Sequence, residues 1–95
     1  MNKDLNTRTF PTVHTNGTSA NELYELYTDA GYTVEDAIKM VSNSAPNGRD
    51  YYPQGPEVIG QAVKEHDARI AKLKEVLVEL QELQAHVSQF VKPPF

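Results

Sequence analysis

The stretch PEVIGQAVKEHDARIAKLKEVLVELQELQAHVSQFV, residues 56–91, decides the fold. Apolar residues recur along it at intervals of three, four or seven, at Ile59, Val63, Ile70, Leu73, Leu77, Leu80 and Val87. This heptad rhythm predicts one long amphipathic helix whose apolar seam packs against another helix. His66 and Gln84 occupy the two seam positions that are not apolar. Pro56 suits the first helical turn and Pro93 stops the helix, so we predict a helix over 56–91.

A second helix is predicted upstream, over residues 20–43. Ser19 and Glu22 are spaced as a capping box, in which the serine side chain accepts a hydrogen bond from the backbone of the glutamate. The segment TVED, residues 33–36, resembles another capping box and would favour two short helices. The apolar phase, however, continues unbroken through the whole segment. It therefore favours one helix, with a kink at Gly31 as an option.

The two helices favour an antiparallel hairpin, because a connector of about a dozen residues joins them. The predicted fold is mostly α, a single domain over 1–95 with an extended N-terminal arm at 1–18 and a connector loop at 44–55. The second helix is the longer one, so residues 80–90 should project beyond the first helix. Leaving leucine and valine exposed there costs about 25 cal/mol per Å² of apolar surface. The N-terminal arm can cover part of this surface and another chain the rest, so we predict a homo-oligomer that assembles through the second helix.

The bulk composition excludes several classes of protein. Of the 95 residues, 39% are apolar and 23% are charged, which is typical of a folded soluble domain. The absence of cysteine excludes a disulfide scaffold, a thiolate metal site and a cysteine nucleophile. The net charge of −4, with scattered basic residues, argues against DNA or RNA as a partner. No apolar run is long enough to span a membrane and MNKDLNTRTF is not a secretory signal, so a cytoplasmic location is predicted.

The connector carries the first candidate site. Its sequence SAPNGRDYYPQGPE, residues 44–57, holds two adjacent tyrosines, an arginine and an aspartate between prolines and glycines. One interpretation is a structured turn, in which Tyr52 packs on the tip of the hairpin. The other is a ligand pocket, because tyrosine rings stack on a base and arginine holds a phosphate or a carboxylate. The candidate ligand-binding residues here are Asn47, Arg49, Asp50, Tyr51 and Tyr52.

The second candidate site is HTNGTS, residues 14–19, which precedes the N-terminus of the first helix. Unpaired backbone N–H groups and the helix dipole attract anions at such a position. Capping of the helix alone is the competing interpretation. The candidate ligand-binding residues are His14, Asn16, Gly17 and Thr18. In a single hairpin this segment and the connector lie at opposite ends, so a site that uses both must form between chains.

The sequence contains no recognisable catalytic or metal-binding arrangement. His14, His66 and His86 lack the spacing of a metal motif such as HExxH. We expect His66 in the core and His86 on the surface. There is no nucleophile–base pair, P-loop or dinucleotide-binding motif. The sequence therefore predicts a protein that is not an enzyme and that uses no cofactor or metal.

Three segments, RTFPTVHTNGTS, PNGRDYYPQGP and EHDARIAKL, resemble small phage and prophage proteins, and the resemblance covers residues 8–90. In size and helical-hairpin plan the chain also resembles the phage-encoded sponges that defeat Thoeris and CBASS immunity. Those proteins are oligomers of helical hairpins that sequester cyclic nucleotide or ADP-ribose signals in pockets between chains. The resemblance implies a nucleotide signal as partner and a pocket lined by Arg49, Tyr51, Tyr52 and the 14–18 arm. A helical protein-binding or assembly module without a small-molecule ligand is the alternative.

Overall fold

A computed structural model describes residues 8–93 of the chain. Two long α-helices dominate this part, α1 over Ala20–Ser42 with 23 residues and α2 over Val58–Ser88 with 31 residues. The described residues contain no β-strand. The prediction of a mostly helical chain with two helices is therefore confirmed.

The chain divides into two compact units. Among the described residues, unit 1 joins 8–31 with 78–93, and unit 2 is Tyr32–Leu77. Each helix contributes to both units, because the boundaries fall inside α1 and inside α2. Residues 1–7 of the predicted arm lie outside the described part of the chain.

A capped N-terminus starts α1 where the sequence predicts it. The backbone N–H of Glu22 donates to Ser19 Oγ at 3.1 Å, which is the first half of the predicted capping box. The helix continues without a break through Gly31 and through residues 33–36, so the interpretation as one helix rather than two is confirmed. It ends at Ser42, one residue before the predicted end.

Both ends of α2 lie inside the predicted bounds of 56–91. Gly55 has a φ of 116° and a ψ of 157°, a combination that is essentially restricted to glycine. The two residues after it form a turn, so the helix begins at Val58, and Pro56 is not in the first helical turn as predicted. At the other end the backbone hydrogen bonds change to an i, i+3 pattern and the helix ends at Ser88.

In unit 1 the start of α1 lies beside the end of α2, and the two segments run antiparallel. The carboxamide of Asn21 donates to the Lys92 carbonyl at 3.2 Å and accepts from the Lys92 N–H at 3.0 Å. Gln84 Nε2 donates to Thr28 Oγ1 at 2.7 Å. As residue numbers rise along α1, the numbers of their partners fall, which is the signature of antiparallel pairing. Gln84 thus faces α1, as its seam position predicts.

The predicted overhang of the second helix is wrong. Asn21, in the first turn of α1, bonds to Lys92, which follows the end of α2, so residues 80–90 lie alongside α1. Leu80 and Leu83 are accordingly half-buried. The prediction assumed that both helices start level at the connector. The hydrogen bonds between Asn21 and Lys92 contradict that assumption, and the argument for an exposed helix end falls away.

The apolar core of unit 1 is small. Val87 is fully buried and Ala20 is 5% exposed, and these are the buried apolar residues of the described chain. Burying a valine side chain contributes about 1.5–3 kcal/mol. The side-chain hydrogen bonds of Asn21 and Gln84 add about 0.5–1.5 kcal/mol each. The half-buried apolar residues of unit 1, Leu80 and Leu83 among them, add to this core.

His66 is buried in unit 2, with 7% of the residue exposed, as its seam position predicts. Its Nδ1 atom has no hydrogen-bond partner among the described residues. Leaving a buried polar atom without a partner costs about 1–3 kcal/mol. The sequence also predicts that His66 packs against the C-terminal half of α1, and that part stays a prediction.

Candidate functional site

Two short 3₁₀ helices, Gly48–Asp50 and Tyr52–Gln54, shape the connector in unit 2. Asn47 caps the first of them: its Oδ1 accepts from the Arg49 N–H at 2.9 Å, and its carbonyl accepts from the Asp50 N–H at 2.9 Å. Asparagine suits this role because its short side chain reaches the backbone two residues further on. The Asn47 side-chain oxygen is therefore used in folding the connector.

The connector and the first turns of α2 form a cleft of about 280 Å³. Tyr51 and Gln54 line it from the connector, and three polar residues line it from α2, namely Gln61, Glu65 and Arg69. The three α2 residues are spaced by four, which places them on one face of the helix. The remaining lining residues are Ser44, Pro46, Val58 and Ala62. We call this site the connector cleft.

The connector cleft presents an aromatic ring, two carboxamides, a carboxylate and a guanidinium. Tyr51 is half-buried, whereas its neighbour Tyr52 is 75% exposed. Gln61 Nε2 donates to Glu65 Oε2 at 3.0 Å, which orients both side chains. Arg69 forms no ion pair with any described residue, so its donors are available to a ligand. Because Glu65 and Arg69 carry opposite charges, the cleft is neutral in sum.

Of the predicted connector residues, Tyr51 lines the connector cleft. Arg49, Asp50 and Tyr52 are exposed and do not line it, and Asn47 is engaged as the cap. The residues that the sequence analysis missed are Gln54, Gln61, Glu65 and Arg69. For the last three, the signal was their i, i+4, i+8 spacing in the part of the helix nearest the connector. Only the path of the connector shows that this face, which stays exposed, borders the cleft.

A larger depression, of about 510 Å³, lies on the first turns of α2 and is lined by Glu57, Val58, Gly60, Gln61 and Lys64. It contains no aromatic ring. At Gly60 the surface is open, since a Cβ atom there would meet nothing within 4 Å. The connector cleft has the more specific set of groups and is the better candidate site.

The predicted second site, residues 14–19, folds into a tight turn before α1 in unit 1. The Gly17 N–H donates to the His14 carbonyl at 3.1 Å. The imidazole of His14 lies over the glycine, because a Cβ atom at Gly17 would stand 2.8 Å from His14 Nε2. A side chain at position 17 would therefore require the exposed His14 ring to move aside.

A cleft of about 310 Å³ adjoins this turn and is lined by Val13, His14, Thr15, Ser19, Ala20, Asn21, Phe90 and Lys92. Several of its polar groups are already used in folding, since Ser19 caps α1 and Asn21 bonds to Lys92. His14 is the predicted site residue that lines the cleft. The predicted residues outside its lining are Asn16, Gly17 and Thr18. The capping interpretation of this segment gains support from these contacts.

The surface position predicted for His86 is wrong, because the residue is half-buried in unit 1. Its ring stacks on Phe10 with centroids 4.7 Å apart, and Phe90 meets it edge-on at 5.8 Å. Its Nε2 lies 3.1 Å from the Pro11 carbonyl oxygen, and since a carbonyl only accepts, that nitrogen carries the hydrogen. The same contact docks Phe10 on α2.

A scan against protein-family models, a search of curated proteins and a search of solved structures find no match to this chain. Within residues 8–93, no group of three or more histidines and carboxylates is arranged to hold a metal ion. Neither α1 nor α2 contains a stretch long and apolar enough to cross a bilayer. The candidate site therefore rests on its geometry.

Proposed function

We propose that this chain is a non-catalytic binding protein that sequesters a small molecule of the nucleotide class in the connector cleft. Its resemblance to phage sponges suggests that the ligand is an immune signal in an infected cell, a cyclic oligonucleotide or an ADP-ribose derivative. The observation that carries the proposal is the cleft itself, where Tyr51 and Arg69 face a common space with two carboxamides and a carboxylate.

Each group in the cleft matches one part of a nucleotide. The ring of Tyr51 supplies a stacking surface for the base, and base–aromatic stacking is worth about 1–3 kcal/mol. The guanidinium of Arg69 suits a phosphate, which it can bind through two parallel hydrogen bonds. Glu65 accepts hydrogen bonds and so suits the hydroxyls of a ribose, while Gln54 and Gln61 both donate and accept at the edge of a base.

The size of the cleft bears on the ligand. Small-molecule sites span about 300–1,000 Å³, so the connector cleft, at about 280 Å³, lies just below that range. It suits one nucleotide unit. A cyclic dinucleotide would need the cleft of a second copy as well, which agrees with the predicted pockets between chains. The neutral balance of Glu65 and Arg69 favours a ligand with few phosphates.

Calorimetric titration of matched variants tests the proposal. We expect Arg69→Ala to weaken binding of a cyclic dinucleotide or ADP-ribose derivative about tenfold to a hundredfold, because hydrogen bonds to charged groups contribute about 1.5–3 kcal/mol. Tyr51→Ala should weaken it to a similar degree. The neighbouring variants Arg49→Ala and Tyr52→Ala are the controls and should bind like the wild type, since both residues lie outside the cleft.

The outcomes separate the possible sites. If Arg49→Ala and Tyr52→Ala weaken binding and Arg69→Ala does not, the exposed connector is the site and the assignment to the cleft is wrong. If the wild type gives no heat with any member of the panel, the sequestration proposal fails. Extraction of the purified protein with heat, followed by mass spectrometry, provides an independent check, because a bound signal should be released.

The second candidate function is a helical protein-binding or assembly module. The exposed apolar residues of unit 2 favour it, because Val63 and Val76 on α2 are 40% and 44% exposed and Met40 on α1 is 69% exposed. A co-purifying protein, together with no nucleotide in the heat extract, would support this function over sequestration. Replacing Val63 and Val76 with serine should then release the partner while leaving the helical circular dichroism unchanged.

A further inference from the structure

One face of α2 in unit 1 is covered by the arm of the same chain. Glu79, Glu82, His86 and Phe90 recur at intervals of three and four, so they follow one side of the helix and its end. At about 100° per residue, this side lies opposite Gln84, which bonds to α1. We call it the outer face.

An arginine of the arm meets two carboxylates of the outer face. Arg8 Nε lies 2.9 Å from Glu82 Oε1, and Arg8 Nη2 lies 3.7 Å from Glu79 Oε2. Arg8 Nε and Glu82 Oε1 are shielded from solvent, but their contact does not have hydrogen-bond geometry, and the side chains of Glu82 and Glu79 are 41% and 49% exposed. Salt therefore screens part of this attraction. The outer face therefore selects a cation at this position of the arm.

The next residues of the arm meet the aromatic end of the outer face. Phe10 stacks on His86 with an interplanar angle of 20°, and the Pro11 carbonyl accepts a hydrogen bond from His86 Nε2. The two glutamates thus bind the charge, and His86 binds both the ring and the carbonyl. Together these contacts define a recognition motif, Arg-Thr-Phe-Pro, over residues 8–11.

We propose that the outer face binds the arm of a second copy, so that two chains exchange residues 8–13 and form an arm-swapped dimer. Every contact that holds the arm in its own chain is available unchanged in the other, because both copies carry the same motif and the same face. Exchange of identical elements is a low-cost route to a dimer for this reason. The remaining cost is the translational and rotational freedom that two chains lose when they associate.

The structure around the arm favours exchange. The arm joins α1 through the turn at 14–19, which lies outside both helices. Phe10 remains 42% exposed, so the arm is attached but not locked in a core. Leu26 and Val78 in unit 1 are 55% and 49% exposed, and a second chain brought close by arm exchange can cover them. This inference is independent of the proposed ligand.

Complementary charge reversal tests the exchange directly. In Arg8→Glu the arm is repelled by its own outer face, and in the double variant Glu79→Arg, Glu82→Arg the outer face repels its own arm. In a mixed swapped dimer both arms meet opposite charges. We expect native mass spectrometry of the mixture to show a heterodimer. Its dissociation constant should be about tenfold or more below that of the homodimer of either variant, and a tenfold difference corresponds to about 1.4 kcal/mol. Arg49→Glu replaces Arg8→Glu in the control mixture and should give no such gain.

The wild type provides a test that does not depend on the variants. A mixture of ¹³C-labelled and unlabelled chains should give isotope-filtered NOEs between Phe10 of one chain and His86 of the other, since the stacked rings are 4.7 Å apart. NOEs confined to single chains would overturn the proposal, as would a charge-reversal mixture without heterodimer when both variants keep their helical circular dichroism. If the variants do not fold, the NOE experiment decides.

Discussion

Val87 should be the apolar side chain on which the stability of unit 1 depends most. It is fully buried, and the described chain contains no larger side chain that is buried to the same degree. Val87→Ala removes two carbon atoms, each worth about 0.8 kcal/mol of burial, and the cavity that remains adds to the cost. Alanine returns about 0.5 kcal/mol through its higher helix propensity. We therefore expect a net loss of about 1.5–2.5 kcal/mol from the free energy of unfolding.

Val78→Ala is the matched control, because it makes the same chemical change in the same helix at a residue that is 49% exposed. It carries the same propensity gain and about half of the burial loss, and because these two terms nearly cancel, its effect should stay within about 0.5 kcal/mol. For a domain of this size, the difference corresponds to a melting temperature about 6–20 °C lower for Val87→Ala. Thermal and urea unfolding followed by circular dichroism at fixed protein concentration measure both. Equal effects of the two substitutions would refute the packing of α2 described for unit 1.

Two further predictions concern unit 2. Gly55→Ala should destabilise the protein by about 1–3 kcal/mol, because the backbone conformation of Gly55 is essentially open only to glycine. Gly60→Ala should stabilise it by about 0.5–1 kcal/mol, because Gly60 lies in the helix and faces open space. Urea unfolding of the two variants checks these opposite signs, and the same sign for both would contradict the connector geometry. His66→Leu should leave stability unchanged or raise it, because it removes a buried Nδ1 atom without a partner, and a loss of more than about 2 kcal/mol in the same assay would mean that the imidazole is bonded in solution.

The connector illustrates why the candidate site could be predicted only in part. Its glycines, prolines and tyrosines marked a special segment, and Tyr51 does line a cleft. The sequence could not distinguish Tyr51 from Tyr52, because two 3₁₀ helices set which ring turns towards α2. It also directed attention to Arg49, whereas Arg69, twenty residues further along, is the arginine in the cleft. Side chains that meet across such a distance in sequence are brought together by the path of the chain.

Local interactions explain what the sequence by itself determined. Spacings within one helix, which the 3.6-residue period governs, account for four features. These are the heptad rhythm of α2, the continuous apolar phase of α1, the Ser19 cap and the burial of His66. The tertiary structure alone decided the alignment of Asn21 with Lys92, which removed the predicted overhang. It also decided the stacking of Phe10 on His86. The physical reason is that these contacts join residues more than seventy positions apart, and no local pattern encodes how far one helix slides along another or where an arm crosses it.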